Sequence, residues 1–324
     1  MKLRDILHSK LRLPVFGAPM FIASTPKLVI EQCKAGIIGA IPALNARPQS
    51  RLDEWITEIE SALQDHQQAN PEIPVAPFAI NQISHPSNDR LMQDLEVIVA
   101  HRVPIVIVSL YVSEEICRQV HSYGGIVLND VISNHQAKKS VQLGVDGLIA
   151  VSAGAGGHTG NVSPYALVAE IREWWNGPLA LAGGIANGQM ILAALATGAD
   201  FAYIGSPFLA THEANTSSEY KQMVIRSTAR DIITSAAFSG VPANFLVESI
   251  RRAGLDPAAL RLDPDKPINV SDKGDSHKIW KDIWGCGQGI NAVKEVLSTK
   301  ELVARWEREY AAAKSALIGR ISPT

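Results

Sequence analysis

The chain has 324 residues, 46% hydrophobic and 19% charged, so it can bury a large core and does not have the composition of a disordered polymer. Thirty basic against 32 acidic side chains give a net charge of −2, which argues against nucleic acid or an anionic membrane as the main partner, since both select a basic face. Three lone, widely spaced cysteines, Cys33, Cys117 and Cys286, offer neither a metal-ligand spacing nor a disulfide framework.

The opening MKLRDILHSKLRLP is broken by charge every few residues, and no run approaches the ~20 apolar residues of a membrane span. The expectation is a cytoplasmic protein with no membrane partner. At about 100–200 residues per domain, the length fits one large α/β barrel or two modest domains.

In chain order, short apolar runs alternate with longer amphipathic segments. The runs are 14–20, 37–43, 75–83, 104–110, 125–131, 146–153, 179–185 and 201–210. Their near-continuous hydrophobicity predicts strands buried on both faces, as in a parallel sheet. Between them, Leu52, Trp55, Ile56, Ile59 and Leu63 form one helical stripe after a cap at Ser50, and Ser163-Pro164 starts another helix. Gly36, Gly124, Gly144 and Gly198 each precede the next strand, the position of a left-handed helix C-cap.

Eight such alternations predict a (β/α)8 TIM barrel over residues 1–216. An open doubly wound sheet is the runner-up, but its glycine fingerprint should follow the first strand, where the chain reads Gly17-Ala18-Pro19-Met20. After residue 211 the alternation stops. Residues 217–256 read as helical runs without a clean strand, and 256–280 as a Pro-, Asp- and Lys-rich loop. The expectation is an inserted, mainly helical subdomain over the barrel mouth (217–284), then a return segment (285–324) packing on the barrel.

In a barrel the chemistry belongs at the carboxyl ends of the strands. Gly183-Gly184 ends the seventh predicted strand and Gly205-Ser206 the eighth, two loops whose bare amides suit a phosphate. Gly154-Ala155-Gly156-Gly157-His158-Thr159-Gly160 follows the sixth; its glycines admit a flat ring or an oxygen, around one histidine able to exchange a proton. His158 is therefore the catalytic candidate, and the other histidines lack such context.

Asn81, inside an apolar strand, either bonds a ligand or ties barrel backbone, and Asp130 either contacts a ligand or caps the next helix. Met20 reads as packing. Trp284-Gly285-Cys286-Gly287-Gln288-Gly289 reads equally as a close-approach loop or a hinge, with Cys286 inert. No metal-ligand cluster, GxSxG elbow or GxxxxGK[ST] loop is present.

GAPM, AGAGGHTGNVSPYALV, AGGIANG with GADFAYIGSPFLAT, and the late GCGQG together resemble the nitronate monooxygenase family, formerly 2-nitropropane dioxygenases, which carry FMN on a TIM barrel. The resemblance implies that Gly183, Gly184, Gly205 and Ser206 hold the FMN phosphate. It further implies that Ala18, Pro19, Met20 and Asn81 border the ring, that Gly157 and Gln288 approach it, and that His158 faces the substrate. Some relatives carry lysine where this chain has Asp130, and a glycine pair where it has the GAPM motif.

The implied reaction oxidises an alkyl nitronate with O2 to a carbonyl compound and nitrite, in a monomer or homodimer. Related flavin barrels suggest the alternative, an NAD(P)H-dependent reductase of a quinone or enoyl thioester. A non-catalytic flavin- or phospholigand-binding barrel is a further possibility. A phosphosugar isomerase or aldolase would need a lysine or glutamate at one of these strand ends, and none carries one.

Overall fold

The computed structural model describes Leu3 and residues 10–238, 240–260 and 281–321. Eight parallel strands form one sheet: β1 (Val15–Gly17), β2 (Gly39–Pro42), β3 (Phe78–Ser84), β4 (Ile105–Leu110), β5 (Ile126–Val131), β6 (Gly147–Val151), β8 (Leu179–Ala182) and β9 (Phe201–Ile204). A two-residue strand, β7 (Gly157–His158), lies outside that ring. The hydrogen-bonded order β1-β9-β8-β6-β5-β4-β3-β2 closes through a parallel bridge between Phe16 and Ile38. The fold is a TIM barrel.

The strands are shorter than the apolar runs that signalled them. The last run divides into β9 and a 3-10 turn over Ser206–Ala210, because the chain must leave the barrel at Gly205. Alternation along each strand sends one side chain inward and the next against the helices. Phe16, Ile38, Ile107, Leu128, Ile149 and Phe201 fill the barrel, with Phe16 and Phe201 edge to face at 5.2 Å.

The outward side chains pack under the helices α1 (Pro26–Lys34), α2 (Arg51–Ala69), α3 (Leu91–Ala100), α4 (Glu114–His121), α5 (Asn134–Gln142), α6 (Pro164–Arg172) and α7 (Gly188–Ala196). Gly36, Gly124, Gly144 and Gly198 take φ of 84°, 84°, 96° and 105°, the left-handed caps expected from the sequence. Ser50 and Ser163 stand at N-cap positions without a side-chain cap bond. Ser113, Ser133 and Asn187 make theirs.

Residues 217–256 hold helices α8 (Ser218–Arg226) and α9 (Val247–Arg252), and between them two strands the sequence did not announce, β10 (Ile232–Ser235) and β11 (Ala243–Leu246). The ANFL run reads as helix by composition. It is a strand because both its edges find partners: Ile232 to Ser235 pair antiparallel on one side, and Gly157-His158 on the other. Most of the expected 256–280 loop falls outside the described residues. A last helix, α10 (Thr299–Ile321), packs across α7, where Glu309 accepts from the Gly188 amide at 2.8 Å and the buried Trp306 meets Phe208 edge to face.

Candidate active site

Four glycine-bearing segments converge at the carboxyl ends of β6, β8 and β9. The Gly184 amide donates to Gly154 O at 3.2 Å, the Gln288 amide to the same oxygen at 2.9 Å, and the Gly287 amide to Ser206 Oγ at 2.8 Å. The glycines are required by contact. A Cβ on Gly156 would lie 2.8 Å from Gly287 N, and one on Gly183 would lie 2.8 Å from Ala153 O and closer still to Ser152 Oγ. Gly184 differs: its φ is +69°, yet a Cβ there would meet nothing within 4 Å. Its open face is a cradle that any side chain would fill.

The late loop is a pinned strap rather than a hinge. The Cys286 amide donates to Asn244 O at 3.1 Å and the Leu246 amide to Trp284 O at 2.8 Å. Tyr220 stacks on Trp284 at 4.6 Å and donates to Gly285 O at 2.5 Å. Asn244, which sequence reasoning passed over, joins the pieces. Its amide donates to Ala155 O at 2.7 Å, its Oδ1 accepts from Thr234, and it is buried. Cys286 is also buried, which pushes its thiol up to about 12, so it is inert.

His158 sits on β7, opposite Ala243 of β11, with Thr159 N donating to Pro242 O at 2.9 Å. Its backbone is thus set by a strand ladder rather than by a free loop. The residue is exposed, and the protein around its ring lowers its pKa by desolvation. The imidazole is neutral at neutral pH and can accept a proton. His101 bridges Asp53 and Glu60, and His121 bonds Asp146.

Across the barrel, at the ends of β3, β4 and β5, the site is made of side chains. The Asn81 amide donates to Ile107 O at 3.1 Å and Ser109 Oγ at 2.8 Å. Ser109 donates in turn to Asp130 at 2.6 Å, and the Leu110 amide reaches the other carboxylate oxygen at 3.3 Å. Asn81 therefore ties the barrel, and Asp130 braces β4 instead of capping α5, which Ser133 does.

Burial raises the Asp130 pKa to about 6, against the pull of these donors, and no lysine or arginine contributes. Tyr203, on the inner face of β9, is held well above its ordinary pKa by burial first and by Asp130 second. Ser109 and Tyr203 carried no motif by which the sequence could single them out.

On the β1 side, the Ala18 amide donates to Ile204 O at 2.8 Å, and Met20 is fixed by Ser24 and Asn45. Ala18 and Met20 border Gly205, whose Cβ position is 3.4 Å from Ala18 Cβ and 3.6 Å from Met20 Sδ. The structure thus brings Ala18–Met20, Gly157, His158, Gly183, Gly184, Gly205, Ser206 and Gln288 to one end of the barrel, with Asn81 and Asp130 on its opposite rim. Two concavities also open at that end: one of about 640 Å3 around His85 and Tyr111, and one of about 360 Å3 around Arg47 and Trp55. Neither is lined by His158.

Among the described residues there is no cluster of histidine, cysteine or carboxylate side chains that could hold a metal, and no helix long and apolar enough to cross a membrane. A TIM barrel with glycine loops and a histidine at the carboxyl ends of its strands has the arrangement of an enzyme of this fold, whose active site lies at that end. The profile of the nitronate monooxygenase family matches residues 4–307, and the chain belongs to that family of generally flavin-dependent oxidoreductases.

It is 25% identical to a nitronate monooxygenase of Paraburkholderia phytofirmans, over 91% of this chain and 92% of that one. The fold matches a nitroalkane oxidase from Streptomyces ansochromogenes with a TM-score of 0.79 at 24% identity, covering 96% of this chain and 99% of that one. It also matches FabK from Thermotoga maritima with a TM-score of 0.78 at 24% identity, covering 98% of each. At that identity the two solved structures speak for the fold alone.

Proposed function

We propose that the protein is an FMN-dependent oxidoreductase that converts alkyl nitronates and O2 into a carbonyl compound and nitrite. The observation that carries this reading is His158, fixed by its ladder to Ala243 on the glycine loop whose Gly154 carbonyl accepts from Gly184, where a Cβ would meet nothing within 4 Å. The FMN phosphate would lie against the open face at Gly184, where no Cβ stands in its way, held by Gly183, Gly184, Gly205 and Ser206. Ala18, Pro19, Met20 and Asn81 would border the ring, with Gly157, Gln288 and Asp130 around it. When bound, FMN supplies the electron transfer between substrate and O2.

The protein does the positioning. His158, uncharged, accepts the α-proton of a nitroalkane on a ring nitrogen, or hydrogen-bonds the nitro oxygens of a nitronate. The strap 284–289, tied to Asn244, Ser206 and Gly154, limits water and substrate size over the glycine loops. The test is aerobic nitrite release from propyl-2-nitronate by the FMN-loaded protein. His158→Ala should lose about 10²–10⁴-fold, and equal rates would remove His158 from the mechanism.

One observation favours a second reading. His158 is neutral and Asp130 is a carboxylate without a cation among the groups that set its pKa, so neither offers positive charge to a nitronate anion. A neutral quinone or enoyl thioester, reduced at the expense of NAD(P)H, suits that field equally well. Anaerobic mixing with NADH separates the two: rapid bleaching of the flavin absorbance supports the reductase, and an unchanged spectrum supports the monooxygenase.

A further inference from the structure

The chemistry above makes no use of the last helix, yet that helix stands behind both loops assigned to the FMN phosphate. The loop after β8 runs from Gly183 into the first turn of α7, which starts at Gly188. The loop after β9 runs from Gly205 through the 3-10 turn Ser206–Ala210. The ladder between β8 and β9 ends at Ala182 and Tyr203, before either loop begins. The sheet therefore does not fix the gap between them, and a grip shared by two loops depends on that gap.

One rod touches both. The start of α10 is pinned behind the second loop: Thr211 forms a parallel bridge with Leu297, and the His212 amide donates to Leu297 O at 2.9 Å. The Thr299 amide and hydroxyl both donate to one Glu213 carboxylate oxygen, at 3.0 and 2.9 Å. Further along, the fully buried Trp306 meets Phe208 edge to face at 5.3 Å. Glu309 then reaches the first loop, where its carboxylate accepts from the Gly188 amide at 2.8 Å. The fit is close: a Cβ on Gly188 would collide with Trp306 O and Tyr310 N. From Thr299 to Glu309 is about 15 Å of helix, a fixed span between the two anchors.

The carboxylate also occupies a place that an anion could otherwise take. A helix N-terminus attracts phosphate through its free amides. At α7 the Gly188 amide is held by Glu309, and the Met190 amide by Asn187 at 2.8 Å, so the protein has already used both. Arg305, one turn before Glu309, stands 3.6 Å from its other oxygen, a weak second hold. We propose that α10 sets the distance between the two phosphate loops, with Glu309 as the positioning residue for the Gly183-Gly184 loop. The inference rests on the FMN reading above and adds to it residues that the cofactor does not touch.

The experiment titrates the full-length, flavin-free protein with FMN and with riboflavin, which has the same ring and ribityl chain but no phosphate. The wild type should bind FMN more tightly. Glu309→Ala should cut that preference about three- to tenfold, the worth of one hydrogen bond, by weakening FMN and leaving riboflavin unchanged. Glu309→Gln keeps an acceptor for the Gly188 amide and should retain the preference. Glu309 is only half-buried, so the Tm of both variants should stay close to that of the wild type.

A wild-type preference in Glu309→Ala would overturn the inference. So would an equal loss of both flavins, which marks general loosening rather than a displaced phosphate loop. Loss of the preference in Glu309→Gln as well as Glu309→Ala would overturn it too, by placing the effect in the charge and not in the bond. A wild type that binds FMN and riboflavin alike would remove the phosphate cradle itself, and the inference with it. The two failures are told apart by whether the preference is missing from the wild type or merely unmoved by the substitution.

Discussion

The two halves of the barrel mouth are built by opposite means. At the ends of β6, β8 and β9 the surface is backbone: glycines at 154, 156, 183, 287 and 289 allow neighbouring segments to touch, and amides do the bonding. At the ends of β3, β4 and β5 it is side chain: Asn81, Ser109 and Asp130 form one hydrogen-bonded row across three strands. The first half suits a rigid grip on an anion, insensitive to side-chain identity. The second places a titratable charge where it can act on whatever lies over the barrel.

The largest effect is expected within the glycine half itself. Gly183 and Gly184 are adjacent and both left-handed, at φ 138° and 69°, yet only Gly183 is walled in by Ser152 and Ala153. Gly183→Ala should damage the fold, losing roughly 1–3 kcal/mol from the backbone alone before the clash is counted. Gly184→Ala should cost about 1–2 kcal/mol of stability but place a methyl group in the cradle. FMN titration should then show affinity falling by a hundredfold or more, against a Tm drop of a few degrees. Equal FMN affinity in Gly184→Ala and wild type would take the phosphate away from this loop.

That pair also shows why the sequence was informative where it was. Tight backbone contact admits only glycine, so each contact leaves a letter in the chain, and the loops at 154–160, 183–184, 205–206 and 285–289 could be read without coordinates. The eight parallel strands were legible for a similar reason, since burial on both faces leaves an unbroken apolar run. The strand β11 was not. Its pairing partners are β10 and β7, and β7 lies some eighty positions away in a glycine loop; that long-range pairing decides strand against helix for ANFL, which no local pattern records. Ser109 and Asn244 were missed because their importance comes from neighbours on other elements.

Asn244 supplies the next largest effect. Its side chain holds Ala155 O and Thr234, and its carbonyl accepts from Cys286, so it couples β11 to the histidine loop and the strap. Asn244→Ala leaves the Ala155 carbonyl and the Thr234 hydroxyl to find new partners in a buried place, at about 1–3 kcal/mol. The expected outcome is a denaturation midpoint lowered accordingly, with amide exchange accelerated in residues 155–159 and 284–288 and not in β3–β5. Uniform acceleration around the barrel would mean that the two halves are not mechanically separate.

The side-chain half is tested most finely by pH. Asp130 titrates at about 6 rather than 3.8 because burial penalises its charge, with Ser109 and Leu110 offsetting only part. The unfolded chain therefore ionises first, and the contribution of Asp130 to stability declines as pH rises from 3.8 toward 6 and is level above that. Above pH 6 the mouth carries a carboxylate with Ser109, the Leu110 amide and a protonated Tyr203 around it, and no cation among the groups that set its pKa. A negative charge there opposes the arrival of electrons on a bound flavin. Asp130→Asn keeps the shape and removes the charge, so its flavin midpoint potential at pH 7.5 should be higher than wild type by some tens of millivolts, about 30 mV for each 1.4 kcal/mol of a two-electron couple. The gap should close below pH 6, where the wild-type carboxyl is itself neutral. A gap that is constant from pH 5 to 8 would show that Asp130 acts by bracing β4 and not by its charge.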